Sequence, residues 1–346
     1  MVAVTAVCTD LTIDGIGRCV PSTPLSLEEV AERQAAIPDD PRVELLASVF
    51  GPSVQAPPPG IEDHAPYLYA VAEPRATMID LPLAAAAALR AAGVGNGEDL
   101  LIFAHSALPG TLDTATVCHI QHLLGMPQAI PFSVSHCHAA AFLNAARIAA
   151  DLTAVEAALG SALVACSDVW VDPLPRRFAP FSPGGDAAAA VRLTRRGSGW
   201  PLHAVANATA ASLADPYQVE VSADPLAPWV DALCDTIDAA LTAAGIGPDR
   251  IVRCLPQALN RNLTRRVAER MGLPTGCHVT ISGDRYGFLS TADTPIALAV
   301  LAETRFGLRA GEPLLLWSAG LGGSVAAAVV GVGDSPIPTA EKDIAS

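Results

Sequence analysis

Short, unbroken apolar runs recur along this chain, and they constrain its fold more than any other feature. Leu100–Ala104 reads LLIFA, Leu163–Cys166 reads LVAC, and Pro313–Ser318 reads PLLLWS. A strand that is apolar on both faces must be covered on both faces, as in a parallel sheet held between helical layers. Alanine-rich segments supply the cover. Leu81–Ala92 predicts a helix ended by Gly93, Thr114–Leu124 another, and Ala139–Ala150 a third that is apolar all round and hence central. Hydrophobic residues make up 51% of the 346 and charged residues only 16%, so the chain can bury a large core.

The order repeats. In the first half, strands at Leu100–Ala104, Ile130–Ser135, Leu163–Cys166 and Ala187–Leu193 alternate with helices. In the second, a helix at Pro228–Ala244, a strand at Ile251–Pro256 and a helix at Arg261–Met271 lead to a strand near Val279–Ser282. A helix at Thr291–Thr304 and strands at Pro313–Ser318 and Ser324–Val332 follow. The last two strands match Leu163–Cys166 and Ala187–Leu193 in position, a weak duplication of a βαβαβ unit. The expected body is layered α/β, with an N-terminal half over 1–195, a C-terminal half over 196–334 and a loose polar tail over 335–346. The first 75 residues are poorly patterned. Val2–Cys8 reads as a strand, Ser26–Gln34 as a helix opened by a Ser26/Glu29 capping box, and Gln55–Gly60 as a loop.

A net charge of −14 argues against a general nucleic-acid or anionic-membrane binder. No apolar run reaches the ~20 residues of a membrane helix. Met1–Asp10 lacks a signal-peptide pattern, so a cytoplasmic protein is expected. Eight irregularly spaced cysteines without a CxxC pair read as reduced thiols.

The most informative stretch is Pro131–Phe142, PFSVSHCHAAAF. A strand ends, Cys137 occupies the turn, and a small-residue helix begins. A thiolate there is stabilised by unpaired N–H groups and the positive end of the helix dipole. The N–H of such a residue is also an oxyanion donor. The alternative is a small core cysteine like the other seven.

Several segments together resemble the thiolase superfamily, and within it the ketoacyl synthase III-like enzymes. They are Leu100–Ala104, CHIQHLLG from Cys118, the run at Cys137, ALVACSD from Ala162 and GDAAAAV from Gly185. DRYG from Asp284 followed by PIAL from Pro295, and the glycine-rich Leu316–Ala326, complete the series. The resemblance covers about Asp80 to Val332. It implies a thiolase-like five-layered fold of two duplicated βαβαβ halves, a homodimer, and Cys137 as the acyl-accepting nucleophile. It also implies a second oxyanion donor from the Gly320–Gly323 turn, hence Gly320 and Gly322 as site residues.

The departures from the family are as telling. Where it carries a histidine in a PHQAN-like run, this chain reads Pro256-Gln257-Ala258-Leu259-Asn260. Where it carries an asparagine, this chain has Phe288. Gln257 has no proton-transfer role near neutral pH and Phe288 offers no polar group. The decarboxylative condensation is therefore expected to be lost or severely slowed, whereas acyl transfer through Cys137 survives. The expected activity moves an acyl group from a carrier-protein or coenzyme A thioester, through Cys137, to a small nucleophile in polyketide-type natural-product assembly. The alternatives are an atypical C–C bond-forming ketosynthase and a non-catalytic partner subunit. No cofactor of its own is expected, since phosphopantetheine arrives on the donor.

A base for the acceptor is sought among eight histidines. His105 ends a strand at the sheet edge where ligands bind in such folds. His136 and His138 flank Cys137, and alternation along a strand lets at most one face the pocket. A metal site from His119, His122 and the His136–His138 run is the weaker reading, because the family pattern already accounts for Cys137. Six arginines between Arg250 and Arg270 form the one basic cluster, with Arg261, Arg265 and Arg266 on one helix side. That face, with Asn260 and Arg261 as substrate contacts, suits an acidic carrier protein or its phosphopantetheine arm.

Overall fold

The computed structural model describes residues 3–36, 69–72, 76–95, 97–106, 115–170, 176, 181–195, 197–210, 213, 224, 226–304, 307–320 and 322–342. The strands of the first half are β1 (Val4–Cys8), β2 (Thr12–Cys19), β3 (Thr23–Ser26), β4 (Tyr69–Ala72), β5 (Leu100–Ala104), β6 (Ile130–Val134), β7 (Ser161–Asp168) and β8 (Ala187–Thr194). Those of the second are β9 (Trp200–Thr209), β10 (Arg253–Pro256), β11 (Pro313–Ala319), β12 (Ser324–Gly331) and β13 (Thr339–Glu341). The helices are α1 (Leu27–Ala35), α2 (Asp80–Ala91), α3 (Thr116–Leu123), α4 (Ala141–Val155), α5 (Ala227–Ala244), α6 (Arg261–Met271), α7 (Ile281–Tyr286) and α8 (Asp293–Thr304).

Eleven strands join in one sheet whose path is β10-β11-β12-β9-β2-β8-β7-β5-β6, with β1 on β9 and β13 on β2. Its two halves repeat one pattern. β5 runs parallel to β7, β7 antiparallel to β8, and β8 antiparallel to β2. Likewise β10 runs parallel to β11, β11 antiparallel to β12, and β12 antiparallel to β9. The halves meet where Thr12 and Ile13 pair with Pro201 and Trp200. The duplication read from the apolar runs is thus real in backbone pairing.

The layers follow from which helices lack a polar face. Every residue of α8 from Asp293 to Ala302 is buried, and α4 buries nine of its side chains. Both lie centrally. α4 touches β5 and β7 on one side and β9 and β12 on the other, while α8 touches β2 and β8, and β10 and β11. Outside, α2 covers β2 and β8, α3 covers β5 and β6, and α5 covers β9 and β12 with α6 against it. This is the five-layered body of two duplicated halves that the sequence leads one to expect.

Four features differ from the sequence reading. The strands β2 and β9, which join the halves, carry no clear strand signal. β2 contains Gly15 and Gly17, yet a Cβ at Gly17 would meet the Ala85 carbonyl at 2.0 Å, so glycine is there to let α2 approach. Segment 279–282 is not a strand. Thr280 accepts the Asp284 N–H at 2.8 Å and opens α7, leaving one bridge between Cys254 and His278. The termini also exchange halves, with β1 in the second and β13 in the first, so the division at 195 is not a clean cut. Finally, residues 335–342 are not loose. Arg18, 4% exposed, donates to both Glu303 oxygens of α8 and to Glu341 of β13 at 2.8 to 3.1 Å. Elsewhere the capping box is formed, with Ser26 and Glu29 each accepting the other's backbone N–H. Segment 55–60 lies outside the described residues.

Arg18→Met is expected to leave two carboxylates without their cation and to cost about 2 kcal/mol, because the partners are half-exposed and the full penalty of a buried pair does not apply. Urea denaturation measures that loss. Hydrogen exchange at Thr339–Glu341 should accelerate at the same time, and an unchanged exchange rate there would mean the tail is held by its backbone pairing alone.

Candidate active site

Cys137 sits where β6 delivers the chain to the start of the central helix. It precedes a 3-10 turn, His138–Ala140, that runs into α4. The two flanking residues adopt left-handed backbone, His136 at φ 61° and His138 at φ 44°. Among the described residues only one other non-glycine has positive φ, Ser290 at 48°, and its turn packs on the 3-10 turn after Cys137. Such conformations cost about 1–3 kcal/mol each and persist where the surroundings impose them. All three strained positions thus meet at the cysteine. Strand alternation does not govern these histidines. His136 is exposed and lines a cavity with Cys137, whereas His138 is half-buried.

The brace for this turn is the glycine loop between β11 and β12. A Cβ on Gly320 would lie 2.0 Å from the Cys137 carbonyl oxygen and 3.1 Å from the His138 Cβ. Only glycine lets the two chains meet. The Gly320 N–H is already donated to Ser324 at 2.7 Å and the Gly323 N–H to Gly320 at 2.9 Å. Among the described residues no backbone carbonyl takes the N–H of Cys137 or of Gly322. Of the two loop glycines singled out by sequence, Gly322 is therefore the candidate oxyanion donor and Gly320 the close-approach residue.

Cys137 is the one half-buried thiol that opens on a cavity. Cys166 and Cys254 are sealed in the core and burial pushes both thiols well above their usual range. Burial also raises Cys277, and takes Cys234 to about 11. The cavity at Cys137 measures about 410 Å³ and is lined by Thr5, His136, Asn144, Asn207, Thr209 and Ser324 with small residues between them. Cys137 Sγ lies 3.4 Å from the Ser135 carbonyl oxygen.

Gln257 is buried at 1% exposure. Its Oε1 accepts the Ala319 N–H at 2.8 Å, next to Gly320, so it is joined to the loop that braces Cys137. Its Nε2 has no hydrogen-bond partner among the described residues. Phe288 is buried in one apolar cluster with Ala139 and Trp317, and its carbonyl accepts the Gly185 N–H. No polar group stands at that position.

Two carboxyls that sequence reasoning passed over bind the site together. Asp168, at the end of β7 and fully buried, accepts the Ser106 N–H at 2.7 Å and the Thr291 N–H at 3.1 Å. Its charge also favours protonation of His138, but desolvation outweighs it and His136 adds repulsion, so His138 is held below the ordinary histidine range. Asp293 accepts the N–H of Ala258, beside Gln257, and of Leu289, beside Phe288. Burial pushes its carboxyl up to about 7 against those two hydrogen bonds. The signal for Asp293 was an acid just ahead of the apolar run Pro295–Ala302. For Asp168 it was an acid just beyond the apolar run Leu163–Cys166.

The remaining candidates lie differently. His105 is buried at the end of β5, stacked on Phe103 at 4.7 Å, and its N–H reaches Val134, three residues before Cys137. Asn260 caps α6, its side chain accepting the Leu263 N–H at 3.0 Å. Arg261 pairs with Asp284 and lines a separate groove of about 540 Å³ along α6. The basic cluster is largely neutralised. Arg265 pairs with Glu269, Arg266 with Asp224 and Arg270 with Asp231. No group of three or more His, Cys, Asp or Glu suited to a metal occurs among the described residues. No described helix is long and apolar enough to cross a membrane.

Comparison with known proteins agrees with this geometry. Residues 241–332 match the family of 3-oxoacyl-[acyl-carrier-protein] synthase III C-terminal domains. A β-ketoacyl-[acyl-carrier-protein] synthase III of Roseiflexus sp. is 36% identical over 91 residues, which span 26% of this chain and 27% of that protein. The curated relatives are thus matched over little more than a quarter of their length. In three dimensions the likeness extends over nearly the whole chain. The acyltransferase ChlB3 superposes with a TM-score of 0.75 at 21% identity, over 95% of this chain and 99% of its own. The 3-oxoacyl-(acyl carrier protein) synthase III of Pseudomonas aeruginosa PAO1 gives 0.72 at 20% identity, over 95% and 99%. Residues 241–332 are thus similar to ketoacyl synthase III C-terminal domains, and the chain as a whole has the thiolase-like fold of these structures.

Two outcomes check the site. Gly320→Ala is expected to displace the Cys137 turn and slow acyl loading about 100-fold, whereas Gly322→Ala, whose Cβ meets only the His136 carbonyl at 3.4 Å, should load nearly normally. Equal rates would show that the contact is not a brace. For Asp293 the folded chain keeps a proton up to about pH 7 that the unfolded chain releases near pH 4. This group's contribution to stability therefore falls as pH rises between those values, by on the order of 4 kcal/mol in the limit. Denaturation curves of Asp293→Asn should lack that decline. A constant difference from the parent protein across pH 4–7 would contradict it.

Proposed function

We propose that this protein is a thioester-dependent acyltransferase that works through an acyl-cysteine. The Cys137 thiolate attacks the carbonyl of a carrier-protein or coenzyme A thioester. The carbonyl oxygen becomes an oxyanion held by the N–H groups of Cys137 and Gly322. The new C–S bond stays, the old one breaks, and the phosphopantetheine sulfur leaves as a thiolate that solvent protonates. A small alcohol, amine or thiol then attacks the acyl-enzyme, and His138, kept neutral by desolvation, takes its proton. Cys137 is released for the next cycle.

One observation carries this reading. The nucleophile, its strained turn and an uncommitted N–H pair are intact, while the enolate-forming positions hold an amide joined to Ala319 and a buried phenyl ring. Loss of one oxyanion donor alone typically costs about 10²–10³ in rate, and here no side chain at either position moves a proton. Acyl transfer needs neither group. The product fits assembly of a polyketide-type natural product, where a loaded acyl chain is passed to a finished scaffold. Neutralisation of the α6 arginines lowers the case for that face as the carrier-protein dock, so either donor suits the site. A homodimer through β6 fits as well. That strand ends the sheet path and exposes Ile130.

Intact-mass spectrometry after mixing with acyl carrier protein or acyl-coenzyme A donors tests the reading. A stable acyl adduct on the parent protein, absent from Cys137→Ala, is expected. Absence of an adduct with every donor would point to a non-catalytic subunit.

A further inference from the structure

The cavity at Cys137 has the wrong lining for an alkyl chain. Thr5, His136, Asn144, Asn207, Thr209 and Ser324 line it beside the thiol. Ligand pockets of this size are mostly apolar, with few polar groups. Here the polar groups form one connected row. Arg147 donates to Asn207 Oδ1 at 3.4 Å, Asn207 Nδ2 donates to Asn144 Oδ1 at 3.2 Å, and Asn144 Nδ2 donates to Ser324 Oγ at 3.2 Å. Thr5 adds a bond to Asn207 Oδ1 at 3.1 Å. The Arg147 cation, itself paired with Asp151, fixes which end of the Asn207 amide is the acceptor and so orients every amide after it. Asn144 lies on the buried side of α4, 8% exposed, seven positions after Cys137, and Ser324 sits two residues beyond Gly322. Each amide nitrogen keeps a second hydrogen, and the Ser324 hydroxyl accepts from Asn144 while its own proton stays available.

From this we infer that the acyl group carried by Cys137 is oxygenated, bearing a hydroxyl or carbonyl that hydrogen-bonds the Asn144–Asn207–Ser324 row. The inference rests on the acyl-cysteine reading above and names its substrate class. An alkyl chain in the same space would desolvate these oriented groups without a partner, and a site built to bond a substrate hydroxyl discriminates strongly against the analogue lacking it. Among the described residues, the other unpartnered polar atoms near the site, including Gln257 Nε2, Ser290 Oγ, Thr291 Oγ1 and Ser318 Oγ, form no connected row and do not line this cavity, and the groove along α6 carries ion pairs already closed.

The test compares 3-hydroxybutyryl and butyryl thioesters of N-acetylcysteamine, which differ by one hydroxyl. Rates of Cys137 adduct formation are followed by intact mass. The hydroxylated donor is expected to load at least about tenfold faster. Asn144→Leu, of similar volume, should remove that preference by raising the butyryl rate. If Asn144→Leu fails to fold, Asn207→Ala, at the half-buried member of the row, should narrow the ratio, and an unchanged ratio would overturn the inference. Equal loading of both donors by the parent protein would overturn the inference and leave the acyltransferase intact. Failure to load either donor would overturn the acyltransferase reading, and this inference with it.

Discussion

The contact between Gly320 and the carbonyl of Cys137 is the constraint on which the rest of the site depends. It holds a cysteine between two left-handed histidines at the head of the central helix. Without that close approach the turn has no reason to keep two strained residues, and its oxyanion donors lose their alignment. Gln257 and Asp293 extend the same brace. One is bonded to the residue before Gly320, and the other ties the Gln257 loop to the Phe288 loop. A network of backbone N–H acceptors thus fixes the geometry of a nucleophile from several chain segments at once, as preorganised sites require.

The same network explains how the fold keeps its architecture with Gln257 and Phe288 at these positions. Gln257 retains a structural bond to Ala319, and Phe288 fills core volume beside Ala139. Both substitutions are absorbed by packing. What they remove is chemical: no proton shuttle and no second polar hand remain where an enolate would form. The proposed acyl loading draws instead on the Gly322 N–H and the polar cavity beside Cys137.

Much of the frame was legible in the chain. LLIFA and PLLLWS are strands because nothing polar interrupts them, and α8 is central because it has no hydrophilic face. The pattern failed where close approach overrides propensity. β2 hides behind two glycines that α2 needs, and residues 279–282 follow a Thr280–Asp284 helix start instead of their apolar content. The tail looked loose because its anchor, Arg18, lies more than three hundred residues away in sequence. Cys137, Gln257 and Phe288 were singled out by register, and the structure joins Cys137 and Gln257 through the Ala319–Gly320 loop. Asp168, Asp293 and the asparagine row could not be read that way, since their meaning arises only when separate strands converge. The arginine cluster misled for the same reason, because the carboxylates facing it come from other segments.

The central claim is that Cys137 carries and passes on its acyl group without decarboxylation. The most direct measurement uses a malonyl donor labelled at its free carboxylate, followed through loading and transfer. The account predicts that the label stays on Cys137 and then appears on the acceptor. Labelled carbon dioxide released together with a β-ketoacyl product would contradict it.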